Sequence, residues 1–174
     1  GEDADKRRHG DGEEIKNPGE EDNMKIKYLA HAAFLITSES GVKIVTDPYT
    51  TSPNLKHGEI RESADVVTVS HEHGDHNNAG AIKGGPQVLR EGGSVRGIKF
   101  RAVTAAHDEK GGSQRGRNTI FCFEVDGVAV CHCGDLGHML SEAGAWRFAR
   151  RARAWPPCAH RGETRCRASC WSRS

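Results

Sequence analysis

Six consecutive residues, His71 to His76, carry three imidazoles and one carboxylate in the pattern His-x-His-x-Asp-His. Imidazole nitrogens combined with a carboxylate oxygen form the donor set that zinc and related divalent metals prefer in hydrolytic sites. A solvated His-rich loop or a purification tag is the alternative, but a tag would be a homopolymer at a terminus. This cluster is patterned and lies mid-chain, so it predicts a metal site.

The residues before the cluster predict how it is positioned. Residues 64–70 form a short β-branched run typical of a buried strand, so the cluster follows the carboxyl end of a core strand. Open α/β sheets place their chemistry on loops at that end. Asp47, His107 and Asp135 also follow predicted strands, and four such strand ends together predict one site at one rim of a sheet sandwich.

Residues 24–140 have the alternating apolar pattern and short turns of a strand-rich domain. Asp126-Gly127 between two apolar runs is the strongest short signal for a β-hairpin. The predicted strands cover 25–29, 33–37, 42–46, 65–70, 87–90, 98–105, 118–125 and 128–133, and one helical turn is predicted within 78–83.

The two ends of the chain differ in composition from this middle part. Residues 1–23 hold nine acidic and four basic residues with few aliphatic ones, which predicts a disordered acidic tail. Residues 141–174 hold eight Arg, three Trp and three Cys, with no Leu, Ile, Val, Met or Lys. We interpret this atypical segment as out-of-frame translation, and an Arg/Trp-rich tail that binds nucleic acid is the alternative.

Composition also restricts the partners. The net charge of +1 gives no argument for nucleic acid or an anionic membrane, and no apolar stretch has membrane-spanning length. We therefore expect a cytoplasmic protein with a small-molecule substrate and no nucleic-acid or membrane partner, and the sequence assigns no oligomeric state. Cys131 and Cys133 flank His132 in a predicted strand and are interpreted as small core residues.

Several motifs resemble those of one known family. Five motifs occur in the order found in hydrolases of the metallo-β-lactamase fold. They are Leu29-Ala30-His31-Ala32-Ala33-Phe34, Thr46-Asp47-Pro48, the His71–His76 cluster, His107-Asp108 and Gly134–His138. Within these hydrolases, the chain resembles the branch akin to L-ascorbate-6-phosphate lactonase, over most of residues 24–140. The resemblance implies an α+β fold, an αββα four-layer sandwich with the metal site between its two sheets, and we expect its C-terminal part to be incomplete.

The resemblance also implies a ligand set. A first metal would be bound by three imidazoles, those of His71, His73 and His107. A second would be bound by Asp75 and His76, with Asp135 bridging the two metals. The family completes its second site with a late His, for which only His160 is available, and the segment around it lacks any strand pattern. One or two Zn²⁺ ions are implied, with Mn²⁺ and Fe²⁺ as alternatives.

The implied function is a metal-dependent hydrolase that uses metal-activated water on a small ester, lactone or phosphoester. Asp75 would act both as a ligand and as the group that orients the nucleophile. The competing hypothesis is a truncated or frame-disrupted family member that binds metal weakly and is catalytically inactive.

Three further residues have open roles. Asp47 could accept an imidazole N–H and fix a ligand tautomer, or serve only in the turn before Pro48. His31 could face the site or be a structural histidine. His138 could contact substrate or make a loop hydrogen bond.

Overall fold

The structure is a computed structural model that describes residues 24–52 and 57–140. The predicted tails, 1–23 and 141–174, lie outside the described residues. In the described part, strands form two sheets. The strands are β1 (Lys25–Ala30), β2 (Ala33–Thr37), β3 (Lys43–Thr46), β4 (Val66–Thr68), β5 (Gln87–Leu89), β6 (Gly93–Val95), β7 (Ile98–Ala106), β8 (Arg117–Val125) and β9 (Val128–His132).

The first sheet contains β1 to β5 in chain order. Strands β1, β2 and β3 pair antiparallel, and β3, β4 and β5 pair in parallel. The parallel register sets Thr46 beside Thr68, and Asp47 N–H donates to the Thr68 carbonyl at 2.9 Å. The carboxyl ends of β3 and β4 are therefore side by side.

The second sheet contains β6 to β9, all antiparallel. Asp126 and Gly127 both have positive φ, at 50° and 77°, which confirms the hairpin predicted between β8 and β9. The short strand β6 was not predicted, because Gly93-Ser94-Val95 is too short and too poor in apolar residues to show a period.

The core lies between the two sheets. One cluster joins Ile36, Ile44 and Val66 of the first sheet to Phe100 and Phe121 of the second. The opposite face of the first sheet carries a second cluster, whose members include Leu35, Val45, Val67 and Ile82. Neighbouring residues along β2, β3 and β4 thus point into different cores. Burial on both faces explains their continuous apolar runs and holds their ends firmly in place.

The two sheets are the central layers of the predicted sandwich. Within the described residues the single helical element is a 3₁₀ turn, Ala79–Ala81, inside the predicted turn 78–83. No helix in this part of the chain is both long and apolar enough to cross a membrane.

The cysteine interpretation was wrong for the second sheet. Cys131 and Cys133 are exposed rather than in the core, and Cys131 forms a disulfide with its cross-strand partner Cys122. The physical reason is strand alternation: the outer face of β8 and β9 carries these sulfurs, whereas Phe121 and Phe123 fill the inner face.

Candidate metal centre

The predicted site residues lie together at one rim of the two sheets. Each comes from the end of a strand or from the loop that follows it. His31 lies in the β1–β2 turn, Asp47 follows β3, residues 71–76 follow β4, His107 follows β7 and Asp135 follows β9. Strand ends far apart in the sequence are therefore neighbours in space.

A first group consists of His71, His73 and His107, here called the three-histidine group. One ring nitrogen from each lies within 4.8 Å of the other two. The ring centroids are 4.6 Å apart for His71 and His73, and 4.8 Å apart for His71 and His107. His71 and His107 are buried and His73 is exposed, so the group opens toward solvent on one side.

A second group, here called the mixed group, consists of His31, Asp75 and His76. His31 Nε2 lies 3.1 Å from His76 Nε2 and 3.2 Å from Asp75 Oδ2. His76 Nε2 is 3.8 Å from the same carboxylate oxygen. The three donor atoms therefore face a common point.

Asp135 connects the two groups. Its Oδ1 lies 3.4 Å from His76 Nε2, and its Oδ2 lies 3.3 Å from His107 Nε2. One carboxylate thus reaches both groups with different oxygens.

Asp47 orients two histidines of the centre through hydrogen bonds. Its side chain is fully buried and accepts hydrogen bonds from Ser70 N–H at 2.7 Å, Ser70 Oγ at 2.5 Å and His76 Nδ1 at 2.9 Å. Because Ser70 Oγ–H donates to Asp47, its oxygen accepts from His71 Nδ1 at 2.9 Å. Both histidines therefore carry their proton on Nδ1 and present a bare Nε2 to the centre.

The donor atoms fit a divalent metal. His71 Nε2 is buried and has no hydrogen-bond partner among the described residues, which is costly for a nitrogen unless a cation binds it. Tetrahedral zinc with bonds of about 2.0–2.1 Å holds its donors about 3.3 Å apart. The separations of 3.1 to 3.4 Å at His31, His76 and Asp135 are close to that value, and the 3.8 Å between His76 Nε2 and Asp75 Oδ2 is longer.

The pKa of His71 is lowered to about 4. Burial is the main cause, and positive charge on His76 or His73 would add to it. His71 is therefore neutral at physiological pH, which is the form that binds a metal.

The pKa of His76 is raised, whereas that of His71 is lowered. Burial acts to lower it, but the hydrogen bond and charge of Asp47, with the charges of Asp135 and Asp75, outweigh burial. Burial acts to raise the pKa of Asp75. Its backbone hydrogen bond and the charges of His76 and His31 outweigh burial, so the pKa of Asp75 is lowered. In the mixed group the carboxylates favour a positive charge, as a bound cation would supply.

The backbone around the centre is strained. Ala30, His31 and Asp47 all have positive φ, at 136°, 52° and 35°. Such conformations cost about 1–3 kcal/mol each in non-glycine residues and concentrate at functional sites. Here the strained turn is the one that presents His31 to the mixed group.

The sequence did not single out three supporting residues. Ser70 connects Asp47 to His71, and buried Asn118 accepts from Asp135 N–H at 3.1 Å and donates to the Cys133 carbonyl at 2.7 Å. His132 lies beneath the centre, with Nδ1 3.9 Å from Asp47 Oδ2. Strand alternation was the available signal for His132, since it predicts that the ring points away from Cys131 and Cys133.

His138 lies outside both groups. Its Nε2 accepts from Ala106 N–H at 3.1 Å, so its Nδ1–H donates to the Met139 carbonyl at 2.9 Å. Of its two predicted roles, the structure shows the loop hydrogen bond.

Two facing sheets with a His/Asp centre at their rim are the architecture of the metallo-β-lactamase fold. Residues 25–151 match the family model of the β-lactamase superfamily domain. The chain belongs to this superfamily, as its motifs predicted.

Named relatives agree with this assignment. The chain is 33% identical over 145 residues to a UPF0173 metal-dependent hydrolase of Pelotomaculum thermopropionicum, with 66% of this chain and 63% of that protein covered. It is 35% identical over 121 residues to a UPF0173 protein of Korarchaeum cryptofilum, with 66% and 51% covered. The chain therefore spans about half to two thirds of the length of these relatives.

Solved structures support the same fold. A Thermotoga maritima protein, assigned as a Zn-dependent hydrolase of the metallo-β-lactamase superfamily, superposes with a TM-score of 0.56 at 37% identity, covering 72% of this chain and 56% of that one. CmlA, a diiron β-hydroxylase from Streptomyces venezuelae, superposes with a TM-score of 0.51 at 16% identity over 74% of this chain and 32% of that one. The second similarity concerns the fold alone.

Proposed function

We propose that this chain is a metal-dependent hydrolase with a two-cation centre, acting on a small ester, lactone or phosphoester. The observation that supports this most strongly is the carboxylate of Asp135, which lies 3.3–3.4 Å from a nitrogen of each donor group. The similarity to relatives named metal-dependent hydrolases supports the same reaction class. Membership of the lactonase-like branch is part of this proposal.

The proposed ligands divide between the two groups. The three-histidine group would hold the first cation and the mixed group the second, and the carboxylate of Asp135 is within reach of both groups. The inclusion of His31 differs from the resemblance, which implied a late histidine at the second cation. When bound, such cations lower the pKa of a coordinated water and polarise the carbonyl or phosphoryl group of a substrate.

The protein's own groups prepare this chemistry. Asp47 holds His76 directly, and His71 through Ser70, in the tautomers that expose Nε2. Asp75 has a lowered pKa and a side chain that is 38% exposed, so it is a carboxylate that substrate and water can reach. It can accept a proton from the attacking water and orient that water toward the substrate.

Zinc is the proposed metal. Three imidazoles without a carboxylate form a nitrogen-rich group that suits zinc, while the carboxylates of the mixed group also suit manganese or iron. The Thermotoga maritima protein, assigned as Zn-dependent, supports the same choice.

A second candidate is a metal-binding protein without catalytic activity. The chain covers 51–63% of the length of the relatives cited above, so their names support the reaction class without assigning turnover to this chain.

Metal content and hydrolysis, measured on the same preparation, distinguish these candidates. We expect two zinc equivalents per chain by mass spectrometry and turnover of a nitrophenyl ester or phosphodiester that disappears in His71→Ala. His57→Ala, an exposed histidine outside both groups, is the matched control. Two zinc equivalents without turnover of any ester, lactone or phosphoester would favour the second candidate, and absence of bound metal would contradict both.

A further inference from the structure

A cleft beside the three-histidine group has no assigned role. It has a volume of about 390 Å³, within the range of small-molecule sites. His71 and His73 form part of its wall, and Arg90, Arg115 and Arg117 form another part. We infer that this cleft binds an anionic group, a carboxylate or a phosphate, on the substrate; this inference rests on the proposed function.

The charges in the cleft are not balanced. Arg90 is engaged by Glu72, with Nε 2.6 Å from Oε1. Arg115 and Arg117 are exposed, and their guanidinium groups make no ion pair with the carboxylates of the described residues. Arg115 and Arg117, which form no ion pair within the described part of the chain, therefore line the same cleft as the proposed metal ligands His71 and His73.

The loop that carries Arg115 is held by a buried carboxylate. Asp108 accepts four backbone N–H bonds at 2.7–2.9 Å, from Lys110, Gly112, Gln114 and Arg115. These four bonds hold the backbone from Lys110 to Arg115 around one carboxylate.

The loop is also tied to the metal centre. His107 N–H donates to the Gly116 carbonyl at 3.0 Å, and Gly116 N–H donates to the Gly112 carbonyl at 2.9 Å. Gly112 has a φ of 88°, and a Cβ there would approach Gly116 O to 2.8 Å. The backbone that presents Arg115 is thus fixed relative to His107.

An ordinary solvated loop would not need this construction. Two exposed arginines alone are common on surfaces, but here a buried aspartate fixes the backbone of one, and β8 begins at the other. The guanidinium fork binds the two oxygens of a carboxylate or phosphate in the same way. A substrate whose reacting group lies at the metal centre would place such an anion in this cleft.

The inference is tested by anion binding to the zinc-loaded protein, measured by calorimetry with inorganic phosphate and with acetate. We expect the dissociation constant of the preferred anion to rise about tenfold in Arg115→Ala/Arg117→Ala, with unchanged zinc content. Arg115→Lys/Arg117→Lys, which keeps the charge but loses the fork, should give a smaller rise. Arg101→Ala, an exposed arginine on β7 outside the cleft lining, is the matched control and should bind like the wild type.

The outcomes separate this inference from the proposed function. Equal affinities in the wild type and the double alanine variant, with normal zinc content, would overturn the anion site and leave the hydrolase proposal standing. If the wild type binds no zinc, the proposed function fails, and the same comparison on the metal-free protein still decides the anion site. Loss of binding to phosphate but not acetate, or the reverse, identifies the anion.

Discussion

The three-histidine group and the mixed group lie at the same rim but are built differently. The first uses only imidazoles, and His71, one of its two buried members, is kept neutral by burial. The second includes Asp75 and lies above the buried carboxylate of Asp47, which raises the pKa of His76. The first group therefore contains one imidazole held neutral, His71, whereas the second already favours positive charge before any metal binds.

The two groups therefore depend on different supporting residues. The three-histidine group depends on loops that follow β4 and β7, and only His71 is connected to Asp47, through Ser70. The mixed group depends on Asp47 directly and on the strained turn at His31. Changes at Asp47 or His31 should affect the second cation more than the first.

The largest effect is expected for Asp47→Ala. It leaves Ser70 and the buried ring of His76 without their acceptor, so the free energy of unfolding should fall by about 3–5 kcal/mol in the metal-free protein. Chemical denaturation measures this, and Glu124→Ala, which removes an exposed carboxylate on β8, is the control. A fall of less than 1 kcal/mol would show that Asp47 does not organise the centre.

His31→Ala should weaken binding of the second zinc by about fiftyfold and leave the first within about twofold. The reason is that the mixed group loses one of its three donors, whereas the three-histidine group is untouched. Competition with a chromophoric chelator measures both constants. Equal weakening of both cations would refute the division into two groups.

The two histidines predict opposite pH effects on the metal-free protein. Because the pKa of His71 falls to about 4 on folding, the unfolded chain takes up its proton first, and stability should decrease by about 2 kcal/mol as the pH falls from 6.5 to 4. The raised pKa of His76 stabilises the fold fully below pH 6.5, and this contribution is lost as the pH rises through its folded value.

Denaturation curves of the wild type, His71→Gln and His76→Gln, recorded from pH 4 to above pH 6.5, measure both effects. His71→Gln should remove the acid-side slope and His76→Gln the slope above pH 6.5. The same slope change in both variants would contradict the assigned directions.

The smallest effect concerns Gly134, whose φ is 52°. A Cβ there would meet Asn118 Oδ1 and lie 2.5 Å from Ser70 Oγ, two groups that support the centre. Gly134→Ala should therefore cost about 1–2 kcal/mol more than Gly127→Ala, which has a φ of 77° but open space around it. Thermal unfolding of the two variants measures the difference. Equal losses of stability would show that the contacts of the new Cβ with Asn118 and Ser70 do not destabilise the fold.

Much of the fold could be predicted because its strands are regular. The apolar runs of β2, β3 and β4 and the Asp126-Gly127 turn are local signals, and their positions in the structure agree with the prediction within one or two residues. β6 has no such local signal. The exposed Cys131 was mispredicted because alternation defines two faces of a strand but not which of them is covered.

The residues of the centre could be predicted as a set, but not their mutual geometry. His71, His107 and Asp135 were identifiable because His and Asp follow strand ends. The membership of His31 in the mixed group depends on a positive-φ turn that residue types do not indicate. Ser70 and Asn118 were missed because a hydroxyl or an amide carries no signal until its partners are placed around it.

We expect two cations to bind at this rim with Asp135 between them, and anomalous diffraction from crystals grown with zinc measures their positions. Two peaks are expected, one contacting His71, His73 and His107 and the other contacting His31, Asp75 and His76. A single peak, or a second peak that does not contact His31, Asp75 and His76, would contradict this expectation.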